Sequence, residues 1–143
     1  MMEAFLQTLG LVSAALAFGG MVFFSAVVAP ITFTKLDEAN AAKFIRGIFP
    51  WFYLFVIATA GLGALALLTL LPWAALGLGI AAFGAAISRQ GLMPRINGAR
   101  DQSNEGDIEA GQRFERLHKL SVHINTIGLI GAAAAVLILG LNS

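Results

Sequence analysis

The sequence contains no cysteine among its 143 residues. Disulfide bonds and thiolate metal sites are therefore excluded, whereas the redox compartment stays open, since a cysteine-free chain is compatible with either side of a membrane. Charge is also scarce, because only 12% of the residues are Asp, Glu, Lys or Arg while 58% are hydrophobic. A soluble domain carries about twice that share of charged residues, so the composition indicates a membrane protein.

Two long uncharged runs lie at 4–34 and 47–88. As helices they would measure about 46 Å and about 63 Å, against about 30 Å for the hydrocarbon core of a bilayer. No Lys or Arg precedes the first run, so we expect it to remain in the mature protein instead of acting as a signal peptide. The second run must cross twice, and Leu71-Pro72-Trp73 is the break at which we predict a tight hairpin.

The pattern predicts an all-α integral membrane four-helix bundle with up-down-up-down topology, in a single domain. The spans are expected at about 4–33, 47–71, 73–93 and 118–141, with a polar cytoplasmic loop at 95–116 in which a short amphipathic helix can begin at Ile108. Small residues at helical spacing predict close-packed seams and leave homo-oligomerisation open. These residues are Gly77, Ala81 and Ala85, and Ala60 and Ala64.

All nine Lys and Arg residues fall in two connections, the one after the first span and the one before the fourth. The positive-inside rule places both connections in the cytoplasm. We therefore predict a multi-pass protein of the inner (plasma) membrane, in contact with membrane lipid, with both termini and the Pro72 turn outside. Acidic residues alternate with the basic ones in the larger connection, which argues against a nucleic-acid partner.

Polar residues inside the spans collect near the cytoplasmic ends. Helical spacing places His118, Ser121 and Asn125 on one stripe of the fourth span, and we expect this stripe to face Tyr53 and Arg89 in the bundle interior. The Asn125 amide needs a ligand or an interhelical hydrogen bond at this depth. Arg89 either reaches to the surface or offers its charge to an anionic group. These five residues are the candidate ligand-binding site.

Other chemistry has less support. His118 and His123 are five residues apart, about 140° around a helix, so they cannot hold one metal ion together and no metal site is predicted. Haem would need one histidine and a ligand from another helix, such as Met21 or Met93, and the identity of any cofactor stays open. No nucleophile and base stand at productive spacing, which disfavours an enzyme.

Three functions stay open at this point. The first is binding or transport of a small solute or cation through a cleft open to the cytoplasm. The second is a membrane haem or redox protein, which an absorption spectrum with a Soret band would identify. The third is a structural or assembly partner of another membrane protein. We further expect Pro30 and Pro50 to shape helix entries, and the aromatic run 49–53 to form an interface belt.

The chain resembles the family of transmembrane protein 205, small four-span proteins that occur widely in bacteria under a domain-of-unknown-function label. The resemblance covers nearly the whole chain and rests on 20–33, Phe49-Pro50, Met93-Pro94-Arg95-Ile96 and, most specifically, Arg116-Leu117-His118 followed by Leu120-Ser121 and Asn125. Family members tend to carry an asparagine before the third-span proline, where this chain has Ser88 and Arg89. The family has no established activity; its human member is associated with tolerance of platinum drugs, so the resemblance implies export or sequestration of small toxic compounds.

Overall fold

The computed structural model describes residues 1–142 and consists of four long helices. They are α1 (Met2–Lys35), α2 (Glu38–Leu67), α3 (Pro72–Asn104) and α4 (Ile108–Leu141). Each helix packs against the next along the chain, and α1 closes the ring against α4. The predicted all-α bundle is confirmed.

Most of the apolar surface of the helices points away from the bundle. All four helices are long and apolar enough to cross a bilayer, yet only 22% to 33% of the residues in the most apolar stretch of each are buried by the rest of the chain. Large side chains such as Phe83, Leu137 and Trp73 are exposed. In water so large an apolar surface would cause aggregation, whereas in a bilayer the lipid covers it. The chain is therefore a multi-pass membrane protein.

Short turns join the helices, and each has a local cause. Helix α2 ends at Leu67 and Pro72 is the first residue of α3, which confirms the predicted hairpin. Proline suits this first position because the N–H it lacks would have no helical partner there. Gly106 turns the chain between α3 and α4 with a φ of 101°, a left-handed conformation that glycine adopts without strain.

Aspartates cap the two helices that begin at the basic end of the bundle. The Asp107 carboxylate accepts a hydrogen bond from the backbone N–H of Ala110 at 3.0 Å, at the start of α4. At the start of α2, the Asp37 carboxylate accepts from the backbone and side-chain N–H groups of Asn40. These hydrogen bonds lower the pKa of Asp37, because they favour its charged form.

The predicted polar loop at 95–116 is instead helical apart from residues 105–107. Helix α3 continues to Asn104, and α4 begins at Ile108, where the short amphipathic helix was expected. Helix α2 likewise begins at Glu38, well before the predicted span. The difference arises because an apolar run reports where a helix lies in lipid, whereas charged residues also form good helices in water.

Ion pairs hold these helix extensions together. The Arg46 guanidinium contacts Asp101 through two hydrogen bonds, the shorter at 2.7 Å, and Arg100 contacts Glu38 at 2.7 Å. Both pairs join the start of α2 to the end of α3. The extensions of α2 and α3 are thus joined to each other at the basic end of the bundle.

A seam of small residues joins α3 to α4 in the other half of the bundle. Gly77 and Gly131 approach so closely that a Cβ added at Gly131 would lie 2.5 Å from the Gly77 carbonyl oxygen. Gly77, Ala81 and Ala85 are buried, as is Ala60 on α2, which confirms the predicted close packing. The helix backbones themselves are in contact here.

Replacing Gly131 with alanine tests this contact. The new methyl group meets backbone atoms that cannot rotate away, so we expect Gly131→Ala to reduce the free energy of unfolding by about 1 to 3 kcal/mol. Gly79→Ala is the matched control, because a Cβ there meets nothing within 4 Å. Thermal unfolding in detergent measures both variants, and equal melting temperatures would contradict the close contact.

Candidate functional site

Two of the helices contain a single π turn, and a proline follows each turn. The turns are Phe24–Val28 in α1 and Ser88–Leu92 in α3, with Pro30 and Pro94 six residues after the first residue of each. A proline has no N–H to donate, and its ring crowds the carbonyl four residues earlier. The wider π turn makes room for that ring. Such turns occur frequently at functional sites.

Both π turns lie against the same part of α2. The Phe24 ring stacks on Phe52 with 4.3 Å between ring centroids, and the Arg89 Nε–H donates to the Pro50 carbonyl oxygen at 3.2 Å. Pro50 lies inside α2, so the expectation that it shapes a helix entry was wrong. Both π turns and Pro50 therefore lie at one level of the bundle.

The aromatic run of α2 mostly faces this interior. Phe52 and Tyr53 are buried, and Phe49 stacks on Tyr53 at 5.4 Å, whereas Trp51 is exposed. The interface-belt interpretation was therefore wrong for Phe52 and Tyr53. These rings thus belong to the core of the bundle.

Three hydroxyl groups from three helices meet at this level, and we call Tyr53, Ser88 and Ser121 the hydroxyl cluster. The Tyr53 and Ser121 hydroxyls share a long hydrogen bond of 3.4 Å, and Ser88 lies close to the Tyr53 hydroxyl. Ser88 is only 2% exposed, and its Oγ has no hydrogen-bond partner among residues 1–142. Burying a hydroxyl without a partner costs about 1 to 3 kcal/mol, so this position favours a bound group that supplies one.

Asn125 and Arg89 lie at the edges of the hydroxyl cluster. Asn125 follows Ser121 by one helical turn on the same face of α4; it is half-buried, and within residues 1–142 its side chain makes no hydrogen bond. The interhelical bond considered for Asn125 is thus not formed. Arg89 is half-buried and bound to the α2 backbone, so it neither extends freely to the surface nor pairs with a carboxylate in the part of the chain that the structure describes.

His118 does not join the other predicted site residues. Its side chain is exposed and stacks on Phe114 at 5.8 Å, so the prediction that it faces the interior was wrong. His123 is also exposed, and its Nδ1–H donates to the Lys119 carbonyl oxygen at 2.6 Å. Among the described residues, no three His, Cys, Asp or Glu side chains come together as metal ligands.

Ser88 was not among the predicted site residues. The π turn that begins at Ser88 changes the helical phase of α3, so regular 100° spacing does not show which side chains share its inner face. The sequence nevertheless indicates such a turn, because Pro94 lies inside a long helical pattern. A proline there removes a backbone hydrogen bond, so the helix before it has to change its geometry.

The half of the bundle beyond the hydroxyl cluster is closed by packing. Small and aliphatic side chains fill it, and Ser13, at 3% exposure, is the buried polar residue there. Gly10 packs directly on the Leu67 side chain. The cluster offers neutral donors and acceptors with one guanidinium at its edge and no carboxylate. This chemistry suits a neutral or anionic hydrogen-bonding solute better than a cation.

Two serine variants distinguish a free hydroxyl from a bonded one. We expect Ser88→Ala to raise the free energy of unfolding of the ligand-free protein by about 1 kcal/mol, because it removes an unpartnered buried hydroxyl. Ser121→Ala should instead lower it by up to about 1 kcal/mol, because it removes the bond to Tyr53. Thermal unfolding in detergent measures both. A decrease for Ser88→Ala would show that its hydroxyl is bonded within the bundle.

Comparison with known proteins identifies a family. A family described as a domain of unknown function, DUF4149, matches residues 12–105. The matched part includes Tyr53, Ser88 and Arg89 and ends before Ser121 and Asn125. No curated protein and no solved structure matches the chain.

Proposed function

Because the chain belongs to the DUF4149 family, whose function is unknown, we propose from its own geometry that it binds a small solute at the hydroxyl cluster. The observation that carries the proposal is the enclosed Ser88 hydroxyl without a partner, which lies beside the Tyr53 hydroxyl. A solute that accepts and donates hydrogen bonds supplies the missing partner and also reaches the free Asn125 amide. The Arg89 guanidinium at the edge favours a neutral or anionic solute over a cation.

We place access to the proposed site at the basic end of the bundle, and this end in the cytoplasm. All nine Lys and Arg residues support this orientation, with both termini outside the inner membrane. Close packing of the other half supports binding or sequestration over a continuous pore, because a path across would require its buried core, which includes Leu67 and Leu78, to open. Transport would thus need a second conformation.

We also infer a relationship to the transmembrane protein 205 family. Its most specific motif in this chain, which includes Ser121 and Asn125, lies beyond the residues matched to DUF4149. Both residues belong to the proposed binding region. The relationship therefore supports handling of a small compound, in line with the export or sequestration that the resemblance implies.

Single-cysteine labelling tests the cleft and its orientation, and the cysteine-free chain needs no preparation for it. We expect Ser121→Cys to react with a charged, membrane-impermeant thiosulfonate from the cytoplasmic side about tenfold faster than Ser13→Cys, which lies in closed packing. The anionic reagent should react faster than the cationic one, because Arg89 attracts it. Labelling of both variants in denaturant is the control for reagent quality.

Several outcomes would contradict the proposal. Equal protection of Ser121→Cys and Ser13→Cys would mean that no cleft reaches the hydroxyl cluster. Reaction from the external side alone would reverse the orientation. The same assay identifies solutes, since a bound solute slows labelling at Ser121→Cys and leaves an exposed reference such as Asn104→Cys unchanged.

Asn125→Leu separates a binding role from a structural one. The amide forms no bond within the described chain, so we expect the variant to keep the melting temperature and to lose the protection that a solute gives to the cysteine at position 121. The measurement compares Ser121→Cys with and without Asn125→Leu. A large drop in melting temperature with protection retained would assign Asn125 to packing.

A further inference from the structure

An open groove of about 610 Å³ lies between α3 and α4 at the basic end of the bundle, away from the hydroxyl cluster. Three arginines line it: Arg95 from α3, and Arg113 and Arg116 from α4. Ala99, which is buried, and Leu117 contribute apolar surface between them. The groove is thus a basic surface with an apolar floor.

The arginines of this groove are not neutralised by nearby carboxylates. The acidic residues that do form ion pairs here are bound to other arginines, Asp101 to Arg46 and Glu38 to Arg100. Within residues 1–142, Arg95 and Arg116 form no ion pair or side-chain hydrogen bond, and Arg113 donates only to the neutral Gln102 oxygen, at 2.6 Å.

Acidic residues on the same part of α4 do not neutralise the arginines of the groove. The helix carries Glu109 and Glu115 beside the arginines, and Glu109 is four residues before Arg113. Neither carboxylate lines the groove, and the described part of the chain contains no ion pair between them and its arginines. Three positive charges therefore share one concave surface.

The groove begins in the headgroup layer of a bilayer and extends beyond it toward water. Arg95 comes seven residues after Ser88, the end of an uncharged run, and Arg116 comes four residues before Leu120, where the last uncharged run begins. At 1.5 Å per residue these separations are about 10 Å and about 6 Å. The headgroup layer extends about 5 to 8 Å beyond the hydrocarbon on each side. Arg116 therefore lies within this layer, and Arg95 lies just beyond it, from where its long side chain can reach back.

We propose that this groove binds the headgroup of an anionic phospholipid, with its phosphate on Arg95, Arg113 and Arg116. Guanidinium groups bind phosphate oxygens through paired N–H donors, and basic pockets between transmembrane helices suit such headgroups. The apolar floor at Ala99 and Leu117 accommodates the glycerol and the first acyl carbons. That floor and the depth of the groove favour a lipid over a soluble phosphate compound.

Native mass spectrometry of the full-length protein with phosphatidylglycerol or phosphatidylcholine tests the proposal. Replacing Arg95, Arg113 and Arg116 with glutamine should weaken phosphatidylglycerol binding about 100-fold at low salt, because each basic residue contributes to attraction of the headgroup. The matched control replaces three lysines of the same end with glutamine: Lys35, Lys43 and Lys119. It removes the same charge outside the groove and should change binding by about twofold or less.

A steric variant tests the groove without changing its charge. Gly98 lines the groove, and a Cβ added there meets nothing within 4 Å, so Gly98→Leu is compatible with the helix. We expect its side chain to fill the groove and to abolish the preference for phosphatidylglycerol, while the melting temperature of the lipid-free protein is kept.

Three results would overturn the lipid site. The first is that the triple arginine variant and Gly98→Leu both bind phosphatidylglycerol as tightly as the wild-type protein. The second is an equal loss in the lysine control, which would show attraction by overall charge alone. The third is displacement of the lipid by glycerol 3-phosphate or inorganic phosphate at a similar concentration, which would assign the groove to a soluble phosphate compound. The solute site at the hydroxyl cluster is tested separately by cysteine labelling, so the two proposals can fail independently.

Discussion

Contact between the backbones of Gly77 and Gly131 sets how closely α3 and α4 lie in the closed half of the bundle. In lipid no hydrophobic force drives helices together, so close van der Waals packing of small residues has to supply the association. The alanines beside the two glycines extend this packing along the seam. Because that half is filled by backbone and small side chains, polar groups that need space are confined to the other end.

At that other end, prolines give the helices their irregular shape. A helix in hydrocarbon must keep its hydrogen bonds, yet Pro30 and Pro94 each remove a donor, and a π turn precedes both. The two turns meet α2 at Pro50, whose carbonyl oxygen accepts a bond from Arg89. The same distortion that accommodates a proline in α3 brings Ser88 beside the Tyr53 hydroxyl. The site is thus a consequence of how the backbone tolerates proline in this environment.

Hydropathy and proline position were enough to predict four apolar helices and the turn at Pro72. The thickness of the hydrocarbon layer fixes how many apolar residues a spanning helix needs. The same two features did not predict the extensions of α2 and α3 into water, since the ion pair of Arg46 with Asp101 depends on tertiary contact. Helical spacing grouped Ser121 with Asn125, which are both half-buried, but it also placed His118 in the interior, where the structure has it exposed. Helical spacing gives the direction in which a side chain points. The side chain is buried only if a neighbouring helix also packs against it at the same level of the bundle. The position of Ser88 depended on a π turn that regular spacing does not describe.

The hydroxyl cluster and the arginine groove use the same pair of helices at two depths. Ser88 and Ser121 lie within the apolar part of α3 and α4, and Arg95 and Arg116 lie further along the same helices toward water. Any group bound in the groove therefore contacts the helix segments that continue into the cluster. A groove lies between α3 and α4 at this end, whereas their backbones are in contact at Gly77 and Gly131. Binding at one depth can alter the other only through movement of α3 against α4, and the closed half supplies the fixed reference for it.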